Sequence, residues 1–176
     1  MSKQIKKKIC LIGSFGVGKT SLVSKYVKGI FSEKYLSTVG VMISQKAIQL
    51  PDCEVLLMVW DLAGEDDFQG LRLSFIKGAS GVLFVADGTR SETLQLTQQH
   101  IDRLGEFYSD IPTLLLLNKA DLKDRWEITD AHLNDVESRV EVFHTSAKTG
   151  ENVEDAFSRI TEMMISPEER AMEAFL

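Results

Sequence analysis

The chain has 176 residues and a net charge of −6, with Lys and Arg scattered along it. That length favours one domain, able to bury about 70% of the surface its unfolded chain exposes, and the acidic balance argues against nucleic acid or an anionic membrane as the main partner. Cys10 and Cys53 are too few for a disulfide framework and fit a cytoplasmic, reducing setting, and neither a signal peptide nor an apolar run of bilayer length is visible.

Taken in order, Lys6, Lys7 and Lys8 read as a solvated lead-in to a first strand, Ile9-Cys10-Leu11-Ile12, with Cys10 as a small core residue. Gly13-Ser14-Phe15-Gly16-Val17-Gly18-Lys19-Thr20 follows directly, and Ser21, Leu22, Val23, Tyr26 and Val27 then carry an apolar stripe at helical spacing. A glycine-rich loop between strand and helix turns backbone N–H groups around phosphate oxygens, and the helix N-terminus adds its positive end. Lys19 can reach terminal phosphates and the Thr20 hydroxyl can ligate Mg²⁺. A ligand-free glycine turn is the competing explanation, and it seldom carries this full spacing. The loop therefore points to a bound nucleoside triphosphate.

Segments 42–50 and 54–61 read as strands joined at Pro51-Asp52 by a turn tight enough for an antiparallel hairpin. The second ends in Trp60-Asp61-Leu62-Ala63-Gly64-Glu65. An acid at that strand end can hold the Mg²⁺ that Thr20 contacts, and the Gly64 N–H is placed to meet a terminal phosphate. Segments 82–86 and 113–117 are unbroken apolar runs, as strands covered on both faces require, and 140–143 is a shorter sixth strand. Helices are expected near 92–108, 128–138 and 153–164, where Val153, Ala156, Phe157, Ile160 and Met164 recur at helical spacing. This alternation predicts an α/β doubly wound sheet with helices on both faces and ligands at the strands' carboxyl ends.

Two of those ends carry Asn118-Lys119-Ala120-Asp121 and Thr145-Ser146-Ala147-Lys148. Guanine offers an N1–H and a 2-amino group that the Asp121 carboxylate can accept together. Adenine lacks the 2-amino donor and would leave that carboxylate unpaired, a difference worth roughly 10⁴-fold or more. The stems of Lys119 and Lys148 can flank the ring, and the Ala147 N–H can reach the guanine carbonyl oxygen.

On these motifs the chain resembles the Ras superfamily of small GTPases, most nearly the Rab-like branch, from about residue 8 to 164. Ser37-Thr38-Val39-Gly40-Val41 looks like the first switch of that branch, and Leu71-Arg72, Ser74-Phe75 and Gly78-Ala79 like its second switch helix. The resemblance implies a P-loop NTPase fold, with a six-stranded, mostly parallel sheet and one antiparallel edge strand. It implies a GTP-binding domain over 1–165 and a tail over 166–176. The nucleotide site would comprise Gly13 to Ser21, Phe31 edge-on to guanine, Thr38, Asp61, Gly64, Asn118, Lys119, Asp121, Ser146, Ala147 and Lys148. Thr20, Thr38 and Asp61 would hold Mg²⁺, while Lys19, Thr38, Gly64 and Glu65 would serve hydrolysis of GTP to GDP. Effectors and regulators would bind through segments 32–43 and 64–77.

The sequence departs from that family at several points. Glu65 stands where glutamine usually orients water; it is also simply a favourable charge, with Asp66 and Asp67, at a helix N-terminus. Phe15 stands where the family usually has a small residue, and its ring is expected to crowd out an activator's arginine; the two departures together lead to the expectation of slow GTP hydrolysis and a poor response to arginine-finger activators. No lipid-bearing cysteine is present near the end, so no lipid anchor is expected. Instead Ser166-Pro167-Glu168-Glu169 reads as a helix start, against the alternative of a frayed end. Ile43, Trp60 and Phe75 occupy the positions of an aromatic trio used for effector recognition, though core packing explains Trp60 and Phe75 as well. His100, His132 and His144 lack ligand spacing for a transition metal. A GTP-binding interaction module with negligible turnover is the first alternative function. A P-loop kinase or ATPase is the second, and Asp121 argues against it.

Overall fold

The computed structural model describes residues 4–34, 37–64 and 73–174, without the side chains of 172–174. Six strands form one sheet in the order β2-β3-β1-β4-β5-β6. They are β1 (Ile5–Ile12), β2 (Val41–Gln49), β3 (Glu54–Leu62), β4 (Gly81–Asp87), β5 (Thr113–Asn118) and β6 (Glu141–His144). All neighbours run parallel except β2 and β3, which pair antiparallel from Val41–Leu62 to Gln49–Glu54. This is the P-loop small G-protein fold, with β2 as its antiparallel edge.

The central strands have no polar face because both faces are covered. Ile9 and Leu11 of β1, Leu83 and Val85 of β4, and Leu114 and Leu116 of β5 pack on one side. There they meet α1 (Lys19–Lys28) and α5 (Val153–Met164), whose Leu22, Tyr26, Phe157 and Ile160 complete the layer. The alternate residues Cys10, Phe84, Leu115 and Leu117 face α3 (Ser91–Phe107) and α4 (Asp130–Glu137) through Leu94, Ile101, Leu133 and Val136. Each such buried Leu, Ile or Phe contributes about 1.5–3 kcal/mol of transfer free energy, so the two layers fix the register of every strand end.

The basic run is not a lead-in. β1 starts at Ile5, so Lys6, Lys7 and Lys8 lie within the strand. Lys8 lays its stem along the sheet and donates from Nζ to the carbonyls of Phe75 (2.6 Å) and Lys77 (3.0 Å), 3.7 Å from the centre of the Trp60 ring. Long aliphatic stems make such half-buried lysines compatible with a strand. A four-residue α2 (Leu73–Ile76) lies within the 64–77 stretch. A 3-10 helix at Ala120–Arg125, which periodicity did not suggest, follows β5. In α4 the N-terminus is closed by Thr129 and His132, whose Nδ1 accepts the Thr129 N–H at 3.0 Å. Helix α6 (Pro167–Ala174) starts with a reciprocal cap. The Ser166 N–H donates to Glu169 Oε2 at 2.9 Å and the Glu169 N–H donates to the Ser166 hydroxyl at 3.2 Å. Among the described residues no helix is long and apolar enough to cross a membrane, and no His, Cys, Asp and Glu cluster could hold a metal.

Candidate nucleotide-binding site

The carboxyl ends of β1, β3, β5 and β6 open onto one cavity of about 440 Å³, and Lys19 and Asp121 both line it. So do Phe15, Gly16, Gly18, Thr20, Ser21, Phe31, Thr38, Gly64, Asn118, Lys119, Ala147 and Lys148. The loop after β1 takes its shape from two glycines in the left-handed region, Gly16 (φ 74°) and Gly18 (φ 101°). At Gly18 a Cβ would also lie 2.3 Å from Asn118 Nδ2. Helix α1 opens here with no acidic residue in its first turn and with Lys25 and Lys28 in its last. Its positive end is therefore uncompensated and faces the cavity, which favours an anion. Lys19 is buried and folds back over the loop, donating to the carbonyls of Gly13 (2.7 Å) and Ser14 (3.0 Å).

Gly13, Ser14, Val17, Asp61 and Ser146 stand behind the cavity wall rather than on it. Gly13 is required by packing, since a Cβ there would lie 2.3 Å from the Val85 carbonyl oxygen. Val17 is fully buried in the core, and its carbonyl accepts Asn118 Nδ2 at 3.0 Å. Gly64 brings β3's end against the loop: a Cβ would come within 2.5 Å of Phe15 Cα. The Phe15 side chain itself is 44% exposed on the cavity wall.

Three hard oxygens meet beneath the loop. Thr20 Oγ1 lies 2.5 Å from Asp61 Oδ2 and 2.6 Å from Thr38 Oγ1, and Thr38 Oγ1 lies 3.4 Å from the same carboxylate. Asp61 is buried and its Oδ1 has no hydrogen-bond partner among the described residues. Burial pushes the Asp61 carboxyl above its ordinary range, with hydrogen bonds from Thr20 and Thr38 and the charge of Lys19 pulling the other way. A buried carboxylate with an orphaned oxygen needs a charge partner. Two hydroxyls beside it add hard oxygen donors of the kind Mg²⁺ takes alongside water and phosphate, so these residues fit that ion.

At the other end, the buried Ser146 hydroxyl donates to Asp121 Oδ1 at 2.7 Å, which fixes the rotation of the carboxylate. Asn118 Oδ1 accepts from the Thr145 hydroxyl and the Ala147 N–H, each at 3.3 Å. Asn118 thus ties the glycine loop to the 145–148 loop. Lys119 is left-handed (φ 70°), its carbonyl accepts the Trp126 indole N–H at 2.9 Å, and its Nζ pairs with Asp87 at 2.6 Å. Lys148 Nζ lies 3.7 Å from Glu33, bringing the segment after α1 toward the Asp121 end of the cavity.

Sequence reasoning passed over several residues of this region. Ser24, Ile30, Ser32, Glu33, Lys34, Leu62 and Leu122 also line the cavity. Asp87 is buried and joined to Lys119, Thr89 and Arg90, and Trp126 packs on Gly88, where a Cβ would strike the indole at 2.1 Å. The one available signal was a lone aspartate ending an apolar strand. Glu65 and the 65–72 stretch of the second switch segment lie outside the described residues. Trp60 and Phe75 pack partly buried against the α3 layer, whereas Ile43 is exposed on β2.

The model of the Ras family matches residues 8–166. The Ras-related protein Rab-13 of Rattus norvegicus is 31% identical over 156 residues, covering 87% of this chain and 77% of that protein. The Ras-related protein Rab-10 of Diplobatis ommata is 30% identical over 158 residues, 88% and 79% of the two chains. With the fold, the glycine loop and the strand-end motifs in place, these matches establish that the chain belongs to the Ras family of small GTP-binding proteins and is Rab-like within it.

Proposed function

We propose that this protein binds GTP and GDP with Mg²⁺ in the cytoplasm, hydrolyses GTP slowly, and uses the exchange as a switch. The observation that carries the reading is that Lys19 and Asp121 open onto the same cavity. The phosphates would lie on the N–H groups of the loop from Gly13 to Thr20 and on the α1 N-terminus, with Lys19 moving from the loop carbonyls to the phosphate oxygens. The pre-turned Asp121 carboxylate would accept both guanine donors, each oxygen having two lone pairs. Phe31, Lys119 and Lys148 would enclose the ring.

Thr20, Thr38 and Asp61 would hold Mg²⁺, which when bound neutralises phosphate charge. Thr38 and Glu65 would position a water in line with the terminal phosphorus, and Lys19 with the Gly64 N–H would stabilise charge on the departing oxygens. Segments 32–43 and 64–77 would carry the state to partner proteins. Val39 at 91% exposure, with Met42 and Ile43 also exposed, supports a protein-binding role for the first segment. The exposed Phe15 ring on the cavity wall also favours a second reading, a GTP-binding module with negligible turnover.

Nucleotide extracted from the purified protein and separated by chromatography is expected to be GDP or GTP, and GTP is expected to outcompete ATP at least 10³-fold. A preference for ATP overturns the assignment. Single-turnover phosphate release then separates slow hydrolysis from none.

A further inference from the structure

Arg90 bridges two parts of the site that no motif connects. It sits at the loop between β4 and α3, its Nε 3.2 Å from Asp87 Oδ2 and its Nη2 donating to the Phe15 carbonyl at 2.8 Å. The peptide between Phe15 and Gly16 is trans, so its carbonyl and N–H point in opposite directions. A carbonyl taken by Arg90 on the outer side leaves the Gly16 N–H directed to the other side of the loop, where Gly16 lines the cavity. A Cβ built on Gly16 would meet Arg90 Nη2 at 3.6 Å, an ordinary contact, so the guanidinium lies directly beside this left-handed turn (φ 74°).

We infer that Arg90 is a positioning residue for the phosphate loop, holding the Phe15 carbonyl outward so that the Gly16 N–H presents to the nucleotide's phosphates. The inference rests on the nucleotide reading above. If this peptide flipped, it would turn a carbonyl oxygen toward an anion and lose one donor. Arginine suits the task because its planar fork serves two acceptors at once, whereas a lysine offers a single point charge. Its anchor, Asp87, is buried, accepts from the Thr89 N–H (2.9 Å) and hydroxyl (2.7 Å), and also pairs with Lys119 of the purine end. The same carboxylate therefore braces both halves of the cavity.

The test uses the whole chain loaded with GDP, comparing wild type with Arg90→Met, which keeps the stem and removes the donors. Release of a fluorescent GDP is expected to speed up about tenfold or more, the scale of one lost hydrogen bond to a charged group. The ³¹P resonances of bound GDP are expected to shift as well. Unchanged release overturns the inference, and so does faster release with unmoved ³¹P resonances, which would mark general loosening. If wild type binds no guanine nucleotide, the nucleotide reading falls and this inference with it. Should Arg90→Met fail to fold, Arg90→Lys, which keeps the charge without the fork, is read by the same two measurements and the same outcomes.

Discussion

Phe15 and Asp87 show what single residues do at this site. Phe15 presents an aromatic ring on the cavity wall, and Gly64 packs on its backbone; in the function proposed above, that ring would stand in the way of an activator's guanidinium. Replacing it with glycine, Phe15→Gly, is expected to leave intrinsic hydrolysis within about threefold. It should raise the acceleration by an arginine-donating activator at least tenfold, out of the roughly 10³–10⁵ such an arginine supplies. Single-turnover phosphate release with and without activator checks this; strong acceleration of the wild type would contradict it. For Asp87, burial raises the carboxyl but the hydrogen bonds from Lys119 and Thr89 outweigh it, so the group sits below its ordinary value of 3.8. A depressed folded value means stability that is complete above the unfolded value and is lost as pH falls through the folded one. Asp87→Asn should therefore cost about 1–3 kcal/mol near pH 7, with the cost shrinking as pH falls below 3.8 and through the lower folded value, measured by urea unfolding across that range. The glycine loop and Asp121 could be read from sequence because local spacing encodes them. Asp87, Arg90 and Trp126 could not, since their roles depend on Lys119, Phe15 and Gly88, which lie 32, 75 and 38 positions away and meet them only through the fold.

At the scale of elements, α1 and α5 pack together on one face of the sheet. Tyr26 of α1 stacks on Phe157 of α5 with ring centres 3.9 Å apart and planes 12° apart, and Lys46 Nζ of β2 lies 3.7 Å from the Tyr26 ring centre. Phe157→Ala is expected to cost about 3–5 kcal/mol, as for other large-to-small core changes; a loss below about 1 kcal/mol in urea unfolding would mean the layer repacks. Strands 82–86 and 113–117 were legible because two-sided burial leaves an unbroken apolar run. The reading of β1 falls four residues short because its first half holds three consecutive lysines, of which Lys7 and Lys8 are partly buried and Lys6 is exposed, a pattern that looks like solvated chain. Beyond the antiparallel β2–β3 hairpin, residue patterns did not give the strand order: parallel neighbours such as β1 and β4 are set by which helix faces cover them, and no pattern along either strand states its neighbour.

For the whole molecule, α6 closes the end of the sheet remote from the cavity. Glu169 pairs with Lys7 of β1 at 2.7 Å, Arg170 reaches Asp52 in the β2–β3 turn at 3.9 Å, and Ile165 packs with Leu50, Cys53 and Val55. A helix of this length has little stability of its own, so these contacts and the Ser166 cap hold it. Ser166→Ala should cost about 0.5–2 kcal/mol and expose α6 to early hydrogen exchange, leaving guanine nucleotide release unchanged; slower exchange or faster release would contradict that.

Lys7 and Asp52 lie toward the amino ends of β1 and β3, whereas the cavity lies at their carboxyl ends, roughly 15–25 Å away by strand rise. A bead, dye or surface coupled through α6 thus leaves the loading rim pointing into bulk solution. Protein immobilised by that helix should exchange nucleotide and capture binders as fast as protein in free solution.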